Sequence, residues 1–323
     1  MGLLELADVR PLFVCPRCGF GVTDGEGGFR CNSAECALSA PGSFPIVERW
    51  PTLVDFEHSI LPRAELERSA TGGRNPWSIE RLPRVLRPVW KPRNRVAARN
   101  IQTLLEELPG EAPVILVIGG GVVGNGVEAI YEDPRAGVVA FDIYGTPLVQ
   151  FIADAHRIPL PDKSVGGVLI QAVLQQVLDP DRVVAEIHRV LRPDGLVYAE
   201  SPFLQQVAYA GPYDFVRYTS SGHRYLFRAF EEIAAGPVAG PGAQMVTSVD
   251  HLVRGLLRSE LAGKLARAAF FWLRYLDRFI PPAFAMDNAS AYYFLGRRSE
   301  RELSAREIID YYRGAHRSAV TDD

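Results

Sequence analysis

The 323-residue sequence contains few cysteines and no long apolar run. No stretch approaches the roughly 18–20 apolar residues that span a bilayer, and the first residues lack the pattern of a signal peptide. The formal net charge of −3 argues against a bulk attraction to nucleic acid. A hydrophobic content of 47% with 23% charged residues is ordinary for a globular protein. Together these features predict a cytoplasmic protein with no transmembrane segment.

The four cysteines all lie within the first 36 residues. Cys15 and Cys18 form a Cys-Pro-Arg-Cys-Gly knuckle, and Cys31 and Cys36 form a second, wider pair about a dozen residues later. Two such pairs predict a closed, structural zinc site, on which a segment this short depends for its folding. Disulfides are the alternative, but nothing in the sequence marks a secreted protein.

The middle of the chain alternates short apolar runs with helical segments, which predicts an α/β fold with a parallel sheet. An amphipathic helix is predicted over Asp179–Leu191. A C-terminal helix is predicted over Ser304–Tyr312, because a serine is followed three residues later by glutamate. The predicted strands are Val114–Ile118, Val138–Phe141, Val165–Ile170, Leu196–Glu200 and Ala291–Leu295.

A glycine-rich turn follows the first of these strands. Gly119, Gly120 and Gly121 come directly after the apolar run, and Asp142 closes the next run about 20 residues on. Glycines allow the backbone to turn sharply and to approach a ligand, and a carboxylate at this distance accepts ribose hydroxyls. The spacing predicts a nucleotide-binding crossover.

Residues after Asp142 indicate which nucleotide cofactor the crossover binds. Ala153-Asp154-Ala155-His156, the segment 158–165 and the turn Arg189–Gly195 resemble sequence blocks of class I S-adenosylmethionine-dependent methyltransferases, type 11-like. The resemblance covers about residues 112–205. It implies a Rossmann-like, doubly wound, mostly parallel seven-stranded sheet and S-adenosylmethionine (SAM) as cofactor.

The resemblance also assigns cofactor contacts to matching positions. Gly119 to Gly121 would face the amino-acid and sugar portion, Asp142 with the adjacent Ile143 the ribose, Asp154 and Ala155 the adenine, and Gln171 the methionine end. Two departures stand out. Val117 occupies the position where most members have an acid, and the glycine loop holds one extra residue.

Residues 1–56 resemble the small zinc-ribbon proteins that activate tRNA and protein methyltransferases, in which a similar Pro-Ile stretch follows the last cysteine pair. Here that stretch is Phe44-Pro45-Ile46. The predicted segments are 1–56 for the zinc ribbon, 57–110 for a linker and N-terminal helices, 111–249 for the methyltransferase core, 250–289 for a helical cap or insertion, and 290–323 for the last strand and C-terminal helix.

The segment Gly211–Thr219 resembles a bacterial subgroup associated with glycan tailoring. The implied reaction is O-methylation of a sugar hydroxyl on a saccharide or glycoconjugate. The subgroup's usual histidine is missing, with Tyr209 near its position. The candidate catalytic residues are therefore Asp214, Arg217, His223 and Tyr209. The structural alternative is that Asp214 and Arg217 pair to hold the loop and that His223 lies on a helix surface.

Two further features leave alternatives open. A basic run between Arg81 and Arg99 fits either a solvated face or an anion-contacting edge, and the latter suits an RNA base methyltransferase with a zinc module. A non-catalytic SAM-fold binding protein is the other alternative.

The apolar residues of 250–283 recur at helical spacing, which predicts core packing, with a peripheral lipid contact as the alternative. The oligomeric state stays open.

Overall fold

A computed structural model describes residues 2–68, 92–108, 110, 112–207 and 211–316. Its strands are β1 (Val22–Gly25), β2 (Gly28–Cys31), β3 (Phe44–Val47), β4 (Trp50–Leu53), β5 (Val114–Ile118), β6 (Gly137–Asp142), β7 (Phe151–Ala153), β8 (Val165–Gln171), β9 (Leu191–Pro202), β10 (Phe230–Ala239) and β11 (Ala291–Arg298). The α-helices are α1 (Leu6–Val9), α2 (Arg63–Arg68), α3 (Arg95–Glu107), α4 (Glu128–Glu132), α5 (Pro180–Val190), α6 (Ser220–Leu226), α7 (Pro241–Leu257), α8 (Glu260–Phe270), α9 (Pro282–Asp287) and α10 (Ala305–Asp310). Short 3₁₀ helices cover Arg10–Leu12, Leu174–Gln176, Gly211–Tyr213 and Phe271–Phe279.

The strands form one sheet in the order β1-β2-β3-β4-β7-β6-β5-β8-β9-β11-β10. Neighbours from β4 to β9 are parallel, whereas β11 runs antiparallel to both β9 and β10. Alternate residues of β5 enter two separate cores, Leu116 and Ile118 on one face and Ile115 and Val117 on the other. Burial on both faces is what a continuous apolar strand predicts, and it gives a doubly wound layer structure.

The sheet has eleven described strands, so the prediction of seven was too low. Strands β5–β11 make up seven of them, and β1–β4 from the N-terminal segment extend the edge next to β7. Four of the five predicted strands correspond to β5, β6, β8 and β9, and the fifth corresponds to β11. The strands β7 and β10 were not predicted.

The N-terminal segment shares the core of the sheet. Thr52 and Leu53 of β4 pair in parallel with β7. The indole N–H of Trp50 donates to the backbone carbonyls of the turn that precedes β7, at 3.1 and 3.2 Å. The ring of Phe13 packs edge-on against Phe151 of β7, with centroids 5.0 Å apart. Residues of the segment 1–56 are therefore continuous with the main sheet and its core.

Both predicted amphipathic helices are confirmed. The Asp179 side chain accepts the N–H of Arg182 and so caps α5. Ser304 and Glu307 form the predicted capping box at the start of α10. The helical region predicted from residue 250 begins earlier, at Pro241.

The basic run is only partly described. Arg93, Arg95 and Arg99 lie at the start of α3, whereas its members from Arg81 to Lys91 fall outside the described residues. Among the described helices, none combines the length and apolarity that crossing a membrane requires.

The junction between β4 and β7 generates a stability prediction. Leu53→Ala removes a fully buried side chain, so we expect the free energy of unfolding to fall by about 3 kcal/mol. Ile46→Ala is the control, because Ile46 is 48% exposed on β3. Urea unfolding followed by tryptophan fluorescence and circular dichroism should show one shared transition. Separate transitions for the N-terminal segment and the main body would contradict a shared core.

Candidate functional site

Four adjacent parallel strands end at one edge of the sheet. Gly119 follows β5, Asp142 ends β6, Gln171 ends β8, and Glu200 lies near the end of β9. The register places Gln171 directly opposite Glu200. Ligands of open α/β sheets bind at the carboxyl ends of such strands. These four positions therefore define the candidate site.

The three predicted glycines form a tight turn at this edge. Gly119 has a φ of +75°, in the left-handed region that favours glycine. The N–H groups of Gly119 and Gly120 both donate to the Phe141 carbonyl at 3.0 Å. A methyl group on Gly121 would lie 2.7 Å from a carboxylate oxygen of Asp142. The turn therefore brings bare backbone against that carboxylate.

Asp142 is held by one backbone donor on each oxygen. The Gly121 N–H donates to Oδ2 at 2.9 Å, and the Ile143 N–H donates to Oδ1 at 2.7 Å. Burial raises the pKa of Asp142 to about 6, although both N–H donors favour the charged form. An ionised carboxylate has about four acceptor positions. Two remain for the hydroxyl groups of a ligand.

Asp154 follows β7 and carries internal hydrogen bonds. The hydroxyl of Ser59 donates to Oδ2, while the backbone N–H and ring Nδ1 of His156 bond Oδ1 at 2.9 and 2.6 Å. Burial opposes ionisation, but these bonds lower the pKa of Asp154 below its usual range. Ala155 lies in the core. A residue of the N-terminal segment thus contacts the carboxylate predicted to bind adenine.

A chain of polar contacts leads from the cysteines to Asp154. Arg17, inside the first knuckle, donates to both oxygens of Asp55 at 2.9 and 2.5 Å and to Glu57 at 2.6 Å. The ring of His58 bonds Asp55 at 3.0 Å, and Ser59 comes next in the chain. The carboxylates of Asp55 and Glu57 already surround a guanidinium, so this acidic cluster is an ion-pair network.

The four predicted cysteines converge. Their Sγ atoms all lie within 4.8 Å of one another, with Cys18 and Cys31 3.3 Å apart and Cys15 and Cys36 3.8 Å apart, and none is in a disulfide. A tetrahedral zinc ion with Zn–S bonds of about 2.3 Å places its sulfurs about 3.8 Å apart. Burial raises the pKa of Cys31 to about 11 and so disfavours its thiolate form. A bound dication would favour the thiolate and offset this effect. The arrangement fits zinc.

Glu200 is a site residue that the sequence prediction missed. Its buried carboxylate accepts hydrogen bonds from Tyr198 at 2.5 Å, from the Asn94 amide at 2.9 and 3.1 Å, and from the Gln171 amide at 2.8 Å. Burial raises the pKa of Glu200 above its usual range despite these donors. The available signal was an acid closing an apolar strand, the same pattern that identified Asp142.

The loop after β9 crosses the same edge. The Phe215 N–H donates to the carbonyl of Gln175 at 2.7 Å, and the Tyr218 N–H donates to that of Pro202 at 3.2 Å. These bonds fix residues 211–219 over the ends of β8 and β9.

Asp214 and Arg217 form a two-point ion pair within the loop. One Arg217 nitrogen bonds Asp214 Oδ1, and the other donates to Oδ2 at 2.7 Å. Arg217 also donates to the carbonyls of Gln205 and Val216 at 3.1 and 2.9 Å. The pair therefore braces the loop, as the structural alternative holds, and presents a buried carboxylate at the end of the strands.

His223 lies inside the protein, so the alternative that placed it on a helix surface was wrong. The ring packs among aromatic side chains, with Phe227 at 5.2 Å and Tyr218 at 5.9 Å between centroids. Burial lowers the pKa of His223 to about 3, and its Nε2 has no hydrogen-bond partner among the described residues. The fourth candidate, Tyr209, lies outside the described residues.

Comparison with known proteins gives partial matches. A ubiquinone/menaquinone biosynthesis C-methyltransferase of Acidiphilium cryptum is 30% identical over 128 residues, which cover 38% of this chain and 46% of the relative. An uncharacterized methyltransferase of Mycobacterium tuberculosis is 35% identical over 98 residues, 27% of this chain and 39% of the relative. The chain spans less than half the length of these curated relatives.

Solved structures also align. The complex of the Haloferax volcanii Trm112 methyltransferase activator with a methyltransferase aligns at 15% identity and a TM-score of 0.41, covering 66% of this chain and 96% of that chain. A Burkholderia thailandensis 1,6-didemethyltoxoflavin-N1-methyltransferase aligns at 16% identity and 0.42, covering 74% and 87%.

One family match falls on the candidate site itself. Residues 118–199 match the family described as a methyltransferase domain. The matched segment contains the glycine turn, Asp142, Asp154 and Gln171. The match therefore coincides with the residues that lie at the carboxyl edge of the sheet.

Proposed function

We propose that the protein is a SAM-dependent methyltransferase that methylates a hydroxyl group of a saccharide or glycoconjugate. The observation that carries the first part is the Asp142 carboxylate, which lies against the glycine turn with two acceptor positions left over. A cofactor with two adjacent ribose hydroxyls fits those positions. The match of this segment to a methyltransferase domain supports the same cofactor.

The residues around the strand ends divide the task of binding SAM. Asp142 accepts the ribose hydroxyls, and the bare backbone of the glycine turn allows close approach. Asp154 offers its carboxylate to the adenine amine, next to Ser59. SAM supplies the activated methyl group when bound.

Glu200 compensates for the apolar Val117. A cofactor ammonium group needs a nearby negative charge or carbonyl oxygens. Glu200 lies opposite Gln171 on the strand that follows β8 in the sheet. Because Tyr198, Asn94 and Gln171 already donate four hydrogen bonds to it, its contribution to an ammonium group is the Coulomb attraction of a buried charge rather than a further hydrogen bond. We assign this carboxylate, with the Gln171 side chain, to the methionine end of the site.

The loop 211–219 orients the acceptor. Alignment of the acceptor oxygen with the methyl group supplies much of the rate enhancement, and a hydroxyl acceptor also has to lose its proton. Asp214 is the candidate proton acceptor because the loop holds it at the strand ends, and Arg217 fixes its orientation. The resemblance of this loop to glycan-tailoring enzymes supports a sugar hydroxyl as acceptor.

We further propose that Cys15, Cys18, Cys31 and Cys36 hold a structural zinc ion. No position of the four-sulfur set is open, so the ion takes no part in methyl transfer. Its role is to fix the knuckle that carries Arg17 and, through Asp55, the segment that reaches Asp154.

The zinc site generates a prediction about composition and stability. The purified protein should contain one zinc ion per chain by native mass spectrometry. Cys18→Ser should lose the metal and lower the melting temperature, because three thiols no longer close the site. Ser33→Ala, in the neighbouring turn, should retain both. A metal-free protein with unchanged melting temperature would contradict the proposal.

The raised pKa of Asp142 generates a pH prediction. Ribose hydroxyls donate to the ionised carboxylate, so binding of S-adenosylhomocysteine should strengthen as the pH rises through about 6. The dissociation constant by calorimetry should be about tenfold larger at pH 5 than at pH 7. Asp142→Asn should weaken binding and flatten the profile, while Asp162→Asn should follow the wild type. A flat wild-type profile would argue against Asp142 as the ribose acceptor.

The acceptor is tested by transfer of a radiolabelled methyl group from SAM to glycans, RNA and small phenols. We expect labelling of a glycan hydroxyl, and an at least about 100-fold loss of kcat in Asp214→Asn with the KM for SAM unchanged. Asp181→Asn, on an exposed position, should retain activity. Labelling of RNA instead would contradict the proposal that the acceptor is a sugar hydroxyl. An absence of SAM binding would contradict the proposal that the protein is a SAM-dependent enzyme.

A further inference from the structure

The helical cap, residues 241–287, is anchored at one end. It comprises α7, α8, the 3₁₀ helix Phe271–Phe279 and α9. The Gln244 amide donates to the carbonyl of Leu204, in the loop after β9, at 2.8 Å. Asp277 accepts the N–H groups of Gly242 and Ala243 at 2.6 and 3.1 Å, which closes the cap on itself at the start of α7. This end of the cap therefore lies beside the loop that follows β9.

The cap exposes an unusual share of apolar side chains. Of the 24 large hydrophobic residues that are exposed in the described part of the chain, 12 fall within these 47 residues. Scattered exposed leucines are ordinary, but such a concentration marks an interaction surface. Six of them are more than 60% exposed, namely Leu252, Leu256, Leu257, Leu261, Leu265 and Phe279.

Apart from Val246, the buried residues of α7 are polar, and the buried residue of α8 is a glycine. Asp250 is buried between the helices and pairs with Arg254 at 3.0 Å and Arg267 at 3.7 Å. Gly263, the buried residue of α8, lies so close that a methyl group there would approach the Asp250 backbone to 2.9 Å. Polar residues between two helices, with leucines on their outer surfaces, are typical of a helix pair that contacts an apolar medium. The prediction of core packing for these leucines was therefore wrong.

The charge of the cap is opposite to that of the whole chain. Residues 241–287 contain six Lys or Arg and four Asp or Glu, a formal +2, whereas the chain carries −3. Three of the four acids are bonded within the protein, namely Asp250 between the helices, Asp277 at the start of α7 and Asp287 beside Tyr312. The remaining acid, Glu260, lies 3.6 Å from Lys264. The outward-facing charge is therefore mainly positive.

Basic and aromatic side chains alternate along the 3₁₀ helix Phe271–Phe279 of the cap. The guanidinium of Arg278 lies over the ring of Phe279 at 4.4 Å, and that of Arg274 lies over Tyr275 at 5.1 Å. Trp272, which lies between Phe270 and Arg274 in the sequence, is 48% exposed. Aromatic rings with adjacent basic groups are typical of helices at the interface between lipid headgroups and acyl chains.

We propose that the helical cap docks on the surface of an anionic lipid bilayer, with its leucines and aromatic rings inserted at the headgroup level. Exposed apolar area supplies the insertion, and the basic side chains meet the negative surface. A two-fold contact between copies would bring two positively charged patches together, which disfavours a second copy as the occupant. The docking stands on the cap alone and is independent of the proposed methyl transfer.

The test is flotation of the 323-residue chain with vesicles of phosphatidylcholine, with and without phosphatidylglycerol. We expect binding to the vesicles that contain phosphatidylglycerol, weakened by salt because exposed charges are screened. Leu256→Asp combined with Leu261→Asp should lower the partition coefficient at least about tenfold. Ile309→Asp is the control, since Ile309 is 72% exposed on α10, outside the cap.

Thermal unfolding of each variant establishes that it folds, so a loss of binding reports on the surface. Arg258→Ala with Arg278→Ala should reduce the preference for phosphatidylglycerol while leaving the fold intact. No binding to either vesicle, or binding that the leucine substitutions leave unchanged, would overturn the proposal. A dimer that those substitutions dissociate, without vesicle binding, would assign the surface to a second copy instead.

Discussion

The shared ending of four adjacent parallel strands is the constraint on which the site depends. Parallel pairing of β6, β5, β8 and β9 places their carboxyl ends side by side. Residues far apart in sequence, such as Asp142 and Glu200, are brought to one edge in this way. The chemistry of the site is then decided by which residue ends each strand.

The pairing of β4 with β7 brings residues from the N-terminal part of the chain to the same edge of the sheet. Because the N-terminal segment continues the sheet, residues that follow β4 emerge next to those that follow β7. Ser59 consequently meets Asp154, and Arg17 ties the same segment to the cysteine knuckle. In this arrangement a side chain from the segment that follows β4 reaches the candidate site.

The sequence was sufficient for the parts in which local pattern and tertiary burial agree. The runs Val114–Ile118 and Val165–Ile170 are apolar because both faces of their strands are covered, so composition alone predicts them. The glycine turn and Asp142 were predictable because their spacing follows from one strand, one turn and the next strand.

Other features depend on contacts that no local pattern encodes. The strand β10, Phe230–Ala239, contains alanine, glycine and proline without clear alternation, and its pairing with β11 determines its conformation. The extension of the sheet by β1–β4 depends on a three-residue strand, β7. The leucines of α7 and α8 have the spacing of core residues, but the buried Asp250 occupies the inner face. Periodicity identifies an apolar face and does not identify what covers it.

The central claim is that the strand ends hold a SAM-type cofactor through Asp142. A crystal structure of the protein with S-adenosylhomocysteine tests it most directly. We expect both ribose hydroxyls within hydrogen-bond distance of the Asp142 carboxylate, with the amino-acid end lying toward Gln171 and Glu200. A ligand bound elsewhere, or ribose hydroxyls that contact other residues, would contradict the account.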